Sequence, residues 1–151
     1  MATDPTFREL QRFRQPWLWA LLAGAGLLVL VLAPASILGL AVIGAVAALL
    51  YTLRLETEVR TDGVYVRMWP LHRSFRRFDW AGIERYEARR YRPIREFGGW
   101  GIRWAPGRVA YSVGGDRGVR IERSDGRDVL VGSRRPEALV AAMDAVAEGR
   151  D

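Results

Sequence analysis

WLWALLAGAGLLVLVLAPASILGLAVIGAVAALLYTL, residues 17–53, is the stretch that decides the fold of this chain. No charged residue occurs between Arg14 and Arg54. As one straight helix the stretch would be about 55 Å long, against a bilayer hydrocarbon core of about 30 Å. Pro34 disfavours helix continuation and restricts the conformation of the residue before it. The sequence therefore predicts a transmembrane hairpin of two helices, residues 17–33 and 36–53.

The residues that flank the hairpin predict its orientation. Arginines precede the first helix and follow the second, whereas the connecting turn has no charge. By the positive-inside rule, both termini are expected to be cytoplasmic in a multi-pass protein of the cell (inner) membrane. The expected anchors at the membrane interface are Trp17, Trp19, Tyr51, Arg14 and Arg54. A cleaved signal peptide ending at 33–35 is a disfavoured alternative, because a second apolar segment follows at once.

The segment before the hairpin, residues 1–16, has two interpretations. Its sequence from Thr6 to Glu9 fits a capping box, which predicts a short helix lying on the membrane surface. The other interpretation is a charged flank that only orients the hairpin. Within the hairpin, small residues recur four apart, as at Ala41 and Ala45, a spacing that favours close helix packing and homo-oligomer formation.

Residues 54–151 have the pattern of a separate cytoplasmic domain. Turn sequences such as Thr61-Asp-Gly63 and Ser124-Asp-Gly126 separate short alternating segments, which predict about seven strands. Pro136–Ala147 then places Leu139, Met143 and Val146 on one face of a C-terminal helix. The expected fold is therefore mainly-β (α+β): a split barrel of about seven strands capped by a helix.

Three strings carry a resemblance to a known family: residues 91–103 (YRPIREFGGWGIR), residues 114–118 (GGDRG) and residues 132–136 (GSRRP). Over residues 6–147 the chain resembles an uncharacterised prokaryotic family of membrane proteins with an N-terminal helical hairpin and a pleckstrin-homology-like (PH-like) domain. The resemblance implies a PH-like split barrel. It implies no particular chemistry.

The composition excludes most catalytic chemistries. All 23 basic residues are arginine, and the chain has no lysine, no cysteine and one histidine, His72. Lysine-dependent phosphate loops, thiolate nucleophiles, cysteine zinc sites and multi-histidine metal centres are therefore excluded. The serine elbow G-x-S-x-G is incomplete at Ser112, because Ala110 occupies its first position. No catalytic, cofactor-binding or metal-binding residue is predicted, and the chain is not expected to be an enzyme.

One loop is a candidate ligand site. Its residues Arg92, Arg95, Trp100 and Arg103, with three glycines, could bring guanidinium groups and backbone amides close to an anion. Alternatively, the glycines permit a tight crossing between two sheets, with Trp100 filling the core. The sequence leaves both interpretations open.

Charge indicates the class of partner. Residues 54–108 contain 13 arginines and 7 acidic residues, whereas residues 109–151 contain 7 arginines and 8 acidic residues. A basic region beside the hairpin favours contact with anionic lipid headgroups of a phospholipid membrane. Alternatively, it is a solvated basic surface that only sets the orientation of the hairpin in the membrane. The expected function is a membrane-anchored, non-enzymatic module that binds lipid headgroups or a partner protein. An accessory subunit of a larger membrane complex is the alternative. An enzyme acting on a phosphate-bearing membrane substrate is less favoured, and nucleic acid is disfavoured as a partner.

Overall fold

The computed structural model describes residues 4–150. The helices are α1 (Pro16–Leu32), α2 (Ile37–Thr52), α3 (Pro93–Phe97) and α4 (Pro136–Glu148). The strands are β1 (Phe7–Arg12), β2 (Arg54–Arg60), β3 (Gly63–Trp69), β4 (Arg76–Asp79), β5 (Ile83–Arg90), β6 (Gly101–Ala105), β7 (Arg108–Ser112), β8 (Arg117–Arg123) and β9 (Asp128–Gly132).

Helices α1 and α2 form a hairpin inserted between two paired strands. The amide of Ala33 still donates to the carbonyl of Val29 at 2.9 Å, after which the chain turns. Ser36 starts α2, and its Oγ accepts a hydrogen bond from the amide of Gly39 at 3.2 Å. Because β1 pairs antiparallel with β2, the two ends of the hairpin lie side by side on the sheet.

The predicted transmembrane hairpin is wrong. No helix within residues 4–150 combines the length and the apolar character needed to cross a membrane. With 17 residues α1 is about 25 Å long, and α2 has 16 residues, so both are shorter than a hydrocarbon core of about 30 Å. The predicted localisation as a multi-pass protein of the inner membrane depended on two spanning helices, so it is wrong as well.

The first sheet has four strands in the order β1-β2-β3-β4. The short interfacial helix considered for the N-terminal segment is wrong, because Phe7–Arg12 is an edge strand paired with β2 along its whole length. Its burial alternates, with Phe7, Glu9 and Gln11 inside. The capping-box pattern depends only on neighbouring residues, and pairing with β2 determines the conformation of the segment instead.

The second sheet has five strands in the order β5-β8-β9-β7-β6. Strands β7 and β9 pair in parallel, and β8 lies between β5 and β9. The expected barrel of about seven strands is therefore wrong: the described residues form an α+β fold with two sheets of four and five strands. Periodicity locates strands, but it does not tell which strands become neighbours.

The hydrophobic core lies between the two sheets. Leu55, Val66 and Met68 of the first sheet meet Ile121 and Val131 of the second, all fully buried or nearly so. Helix α4 closes one side with its apolar face, formed by Leu139, Met143 and Val146. A smaller cluster on the outer face of the second sheet consists of Tyr91, Phe97, Ala110 and Leu130, with Phe97 supplied by α3.

Polar side chains of β1 tie the two sheets together. Gln11 donates from Nε2 to the carbonyl of Gly132 at 2.7 Å. The carboxylate of Glu9 accepts from Ser133 Oγ at 2.6 Å and from the amide of Arg134 at 3.0 Å. The side chains of Glu9 and Gln11 are both buried. Their bonds hold the connection between β9 and α4 beside β1.

Candidate binding site at the base of the helical hairpin

Both sheets have one end beside the hairpin and one end away from it. In the first sheet Arg12, Arg54 and Trp69 lie in register beside the helices, and β7 of the second sheet runs toward the same side. There Gln15 Nε2 donates to the carbonyl of Val113 at 3.0 Å. We call this side the hairpin end and the opposite side, where β6 turns into β7, the distal end.

A cavity of about 310 Å³ lies at the hairpin end, between the β1–α1 connection and the loop after β7. This volume is in the range of small-molecule sites. Its walls come from three segments that are far apart in sequence: residues 11–15, residues 113–117 and residues 133–134. We call it the base cavity.

Positive charge dominates the base cavity. Arg12, Arg14 and Arg134 line it, and none of the three forms a salt bridge with a residue that the structure describes. Arg117 also lines it but pairs with Glu137. The acidic member of the lining, Asp116, pairs with Arg90 at 3.3 Å. The three free guanidinium groups can therefore serve an anion.

Local structure explains why these arginines converge. The bond from the Arg134 amide to Glu9 fixes the backbone of residue 134 beside β1. Gln15 holds the start of α1 against Val113, while its own Oε1 is buried and finds no hydrogen-bond donor in the described chain. A ligand with a hydroxyl or amino group next to its anionic group could supply that donor.

Aromatic side chains surround the base of the hairpin. The rings of Trp17 and Trp100 lie 6.3 Å apart, and Trp100 donates from Nε1 to the carbonyl of Gly115 at 2.9 Å. On the other side Trp19 and Tyr51 lie 6.5 Å apart in an edge-to-face arrangement. With Phe13 and two arginines of the base cavity, the second pair lines another concavity of about 330 Å³.

The predicted interface anchors have different environments. Trp17, Trp19 and Tyr51 lie at the base, and Arg14 has no ion-pair partner in residues 4–150. Arg54 instead forms an ion pair with Glu56 at 2.9 Å and stacks over Trp69. The guanidinium of Arg54 is thus engaged on the outer face of the first sheet.

The arginines of the predicted anion loop have different surroundings. Arg92 and Arg95 are exposed around α3, whereas Arg103 turns back so that its Nε donates to the carbonyl of Trp100 at 2.9 Å. Trp100 is half-buried at the hairpin end and does not belong to the core. The loop connects β5 with β6, which are the two edges of the same sheet.

Sequence reasoning missed the contribution of distant segments to the base cavity. Arg12 was recognised only as a flanking charge and Arg14 only as a membrane-interface anchor, whereas Arg134 and Gln15 were not singled out. The short polar run Gly132-Ser-Arg-Arg, just before a helix, was the available signal for Arg134. Its proximity to Arg12 depends on the pairing of β1, which no local pattern indicates.

No metal-binding arrangement was found within residues 4–150. No three metal-binding side chains of His, Cys, Asp or Glu come together there. Burial lowers the pKa of His72, and the neighbouring Arg76 lowers it further. The ring of His72 lies 6.1 Å from that of Tyr111 and has no acidic partner among the described residues.

Comparison with known proteins gives no family for this chain. No protein-family model, no curated protein and no solved structure matches it. The resemblance to PH-like membrane proteins is therefore wrong, because neither a family match nor the strand order supports it.

Proposed function

We propose that this protein is a non-enzymatic binding module that attaches to a phospholipid surface. In this proposal the apolar helical hairpin enters the lipid from one side without crossing it. The aromatic and arginine side chains at its base then contact the anionic headgroups. The two sheets remain outside the lipid and hold the hairpin in place.

The observation that carries the proposal is that no residue of the hairpin helices is buried. Neither α1 nor α2 has a single buried residue, although nearly all of their side chains are apolar. Leu32 is 73% exposed and Ile37 is 81% exposed. Monomeric proteins rarely expose contiguous apolar patches of more than a few hundred Å² to water, so this surface needs a partner.

Lipid suits this surface better than a protein partner does. A helix that docks on one protein partner has an apolar stripe and a polar opposite face, whereas α1 and α2 are apolar all round. A second copy of the chain would cover one face of the hairpin and leave the other in water. Hydrocarbon can surround the hairpin on every side.

The base of the hairpin has the chemistry of a lipid–water interface. Tryptophan and tyrosine are favoured at that level, and Trp17, Trp19 and Tyr51 surround the point where the hairpin leaves the sheets. Arg12, Arg14 and Arg134 lie beside them in the base cavity. Each basic group near an anionic lipid surface contributes about 1 kcal/mol to binding.

The test is flotation of the full-length protein with vesicles of neutral phosphatidylcholine, and with vesicles containing one quarter phosphatidylglycerol. We expect binding to both, with a preference for anionic vesicles that weakens at high salt because exposed charges are screened. Replacing both Leu32 and Ile37 by Glu should abolish binding to both vesicle types. Both side chains are exposed, so the sheets should still fold, as circular dichroism and the urea midpoint would report.

The arginine contribution has its own matched pair of variants. Arg12→Gln with Arg14→Gln should lower the affinity for anionic vesicles by about 10-fold or more, at roughly 1 kcal/mol per charge. Arg85→Gln with Arg150→Gln removes the same charge away from the base and should have little effect. Equal binding of the wild type and the Leu32/Ile37 variant would overturn the proposal. So would a stable stoichiometric protein complex that excludes vesicles, which would favour an accessory subunit instead.

A further inference from the structure

A second basic concavity lies at the distal end, on the opposite side of the domain from the hairpin. It has a volume of about 420 Å³ and lies between β4 and the turn that joins β6 to β7. From Ser112 at the hairpin end to Arg108 beside this concavity, β7 spans about 13 Å at roughly 3.3 Å per residue. We call it the Trp104 groove. It is independent of the lipid-binding surface proposed above.

Trp104 is exposed here because of the unequal size of the two sheets. Register places Trp104 opposite Val109 and Val109 beside Val129, so all three point to the core side of the five-stranded sheet. Val129 is covered by the first sheet, but Trp104 is on the edge strand β6 and is 77% exposed. An indole on the inner face of a sheet is thus left largely exposed.

The floor of the groove is apolar and its rim is basic. Phe78, Tyr111 and Val129 are buried in the floor. Five arginines contribute to the lining, and no acidic residue does; they are Arg76, Arg77, Arg108, Arg123 and Arg127.

Three of these arginines are available to a ligand. Arg76, Arg108 and Arg127 form no salt bridge within residues 4–150, whereas Arg77 pairs with Asp79 and Arg123 pairs with Asp125 at 3.1 Å. Free like charges around one concavity create a positive potential that attracts anions.

Two adjacent turns bring the free arginines together. Gly107, at φ 69°, turns β6 into β7, and its carbonyl accepts a hydrogen bond from the amide of Asp128 at 2.9 Å. The β8–β9 turn that carries Arg127 is thereby held beside the turn that carries Arg108.

Both carboxylates near the groove already have partners. Asp125 accepts from the amide of Arg127 at 2.9 Å, and Asp128 pairs with Arg120 at 2.5 Å. The positive charge of the arginines also acts on Tyr111 in the floor of the groove. Burial raises the pKa of Tyr111, and Arg76 and Arg123 act in the opposite direction.

We propose that the Trp104 groove binds a nucleoside phosphate, with the base stacked on Trp104 and the phosphates held by Arg76, Arg108 and Arg127. An exposed indole is a general platform for a planar base, and arginine binds phosphate oxygens in a bidentate manner. An acidic peptide would use the arginines but would leave the indole without a planar partner. A volume of about 420 Å³ is in the range of small-ligand pockets.

Calorimetric titration of the whole 151-residue chain in a mild detergent tests the proposal. The probes are ATP, which carries base and phosphates, adenosine, which lacks the phosphates, and tripolyphosphate, which lacks the base. ATP should bind at least 10-fold more tightly than either fragment. Equal affinity for ATP and tripolyphosphate would overturn the proposal and leave a basic surface without base recognition.

Two variants separate the roles of base and phosphate. Trp104→Ala should weaken ATP binding at least 10-fold and leave tripolyphosphate binding unchanged. Arg108→Gln with Arg127→Gln should weaken both by at least 10-fold, whereas the control Arg85→Gln with Arg150→Gln should stay within 2-fold of the wild type. All of these side chains are on the surface, and the urea midpoint checks that each variant folds.

A last probe distinguishes a free nucleotide from a nucleic-acid strand. Single-stranded oligothymidylate should bind no more tightly than ATP. If it binds at least 10-fold more tightly and the Trp104→Ala variant loses that binding, the groove is a nucleic-acid surface and the proposal for a free nucleotide is wrong.

Discussion

The helical hairpin and the inner faces of the two sheets are both apolar but are stabilised in different ways. In the sheets, Leu55, Val66, Ile121 and their neighbours are fully buried, and backbone pairing satisfies the strands between them. In the hairpin, no residue of either helix is buried. The sheets therefore contain their own hydrophobic core, whereas the hairpin is apolar surface that the rest of the described chain leaves uncovered.

The comparison predicts its largest effect for two leucines that differ in burial. Leu55→Ala removes a side chain that is 0% exposed and should lower the free energy of unfolding by about 2–5 kcal/mol. Leu32→Ala removes the same atoms from a side chain that is 73% exposed and should cost less than about 0.5 kcal/mol. Urea unfolding in a mild detergent, followed by circular dichroism, measures both. Similar losses would mean that the hairpin is packed as tightly as the sheets.

A second, smaller effect is expected on the outer face of the first sheet, where charges are buried. The side chain of Glu56 is 3% exposed and lies between Arg54, at 2.9 Å, and Arg67, which donates from Nε at 3.0 Å. The loop after β3 covers this face, since the ring of Phe75 lies 4.4 Å from the guanidinium carbon of Arg67. Three of the 13 arginines in residues 54–108 form ion pairs with glutamates on this face; they are Arg54, Arg60 and Arg67.

Glu56→Gln should therefore lower the free energy of unfolding by about 1–3 kcal/mol, because it leaves two half-buried guanidinium groups without the buried carboxylate that they share. Glu87→Gln is the matched control: its carboxylate is exposed and lies 3.5 Å from Arg85, so the loss should be within about 0.5 kcal/mol. The same urea titration measures both variants. If Glu87→Gln costs as much as Glu56→Gln, the burial of the Glu56 carboxylate does not explain its contribution to stability.

Local signals in the sequence predicted much of the fold, because turns and helix breaks depend on neighbouring residues. The turns around Gly63 and Gly126, the break at Pro34 and the apolar face of α4 were all readable in this way. The strand Phe7–Arg12 was not, since its conformation depends on pairing with residues 54–59, across the whole hairpin. The parallel pairing of β7 with β9 was likewise not predictable, because the alternation of apolar and polar residues does not specify which strands pair.

The candidate sites were less predictable than the fold. The sequence singled out one continuous loop, but the base cavity combines three segments, and its Arg12 and Arg134 are more than 120 positions apart. The exposure of Trp104 arises from the mismatch between a four-stranded and a five-stranded sheet. Neither property exists before the chain has folded.

The smallest expected effect concerns pH, to which the two regions should respond differently. His72 is the single histidine of the chain, and its Nδ1 is buried without a hydrogen-bond partner in the described residues. Burial, and then the charge of Arg76, lower the pKa of His72 below its unfolded value of about 6.5. The neutral ring therefore contributes stability that is complete above about pH 6.5 and is lost as the pH falls through the lower pKa of the folded state.

Between pH 7.5 and pH 5, the wild type should consequently lose more unfolding free energy than His72→Gln, and the difference should be smaller than either effect above. Urea titrations at several pH values measure it, and parallel losses in the two proteins would assign the pH dependence to other groups. The hairpin, residues 16–52, contains no aspartate, glutamate or histidine. Vesicle binding should therefore stay constant over the same pH range, even while the stability of the sheets changes.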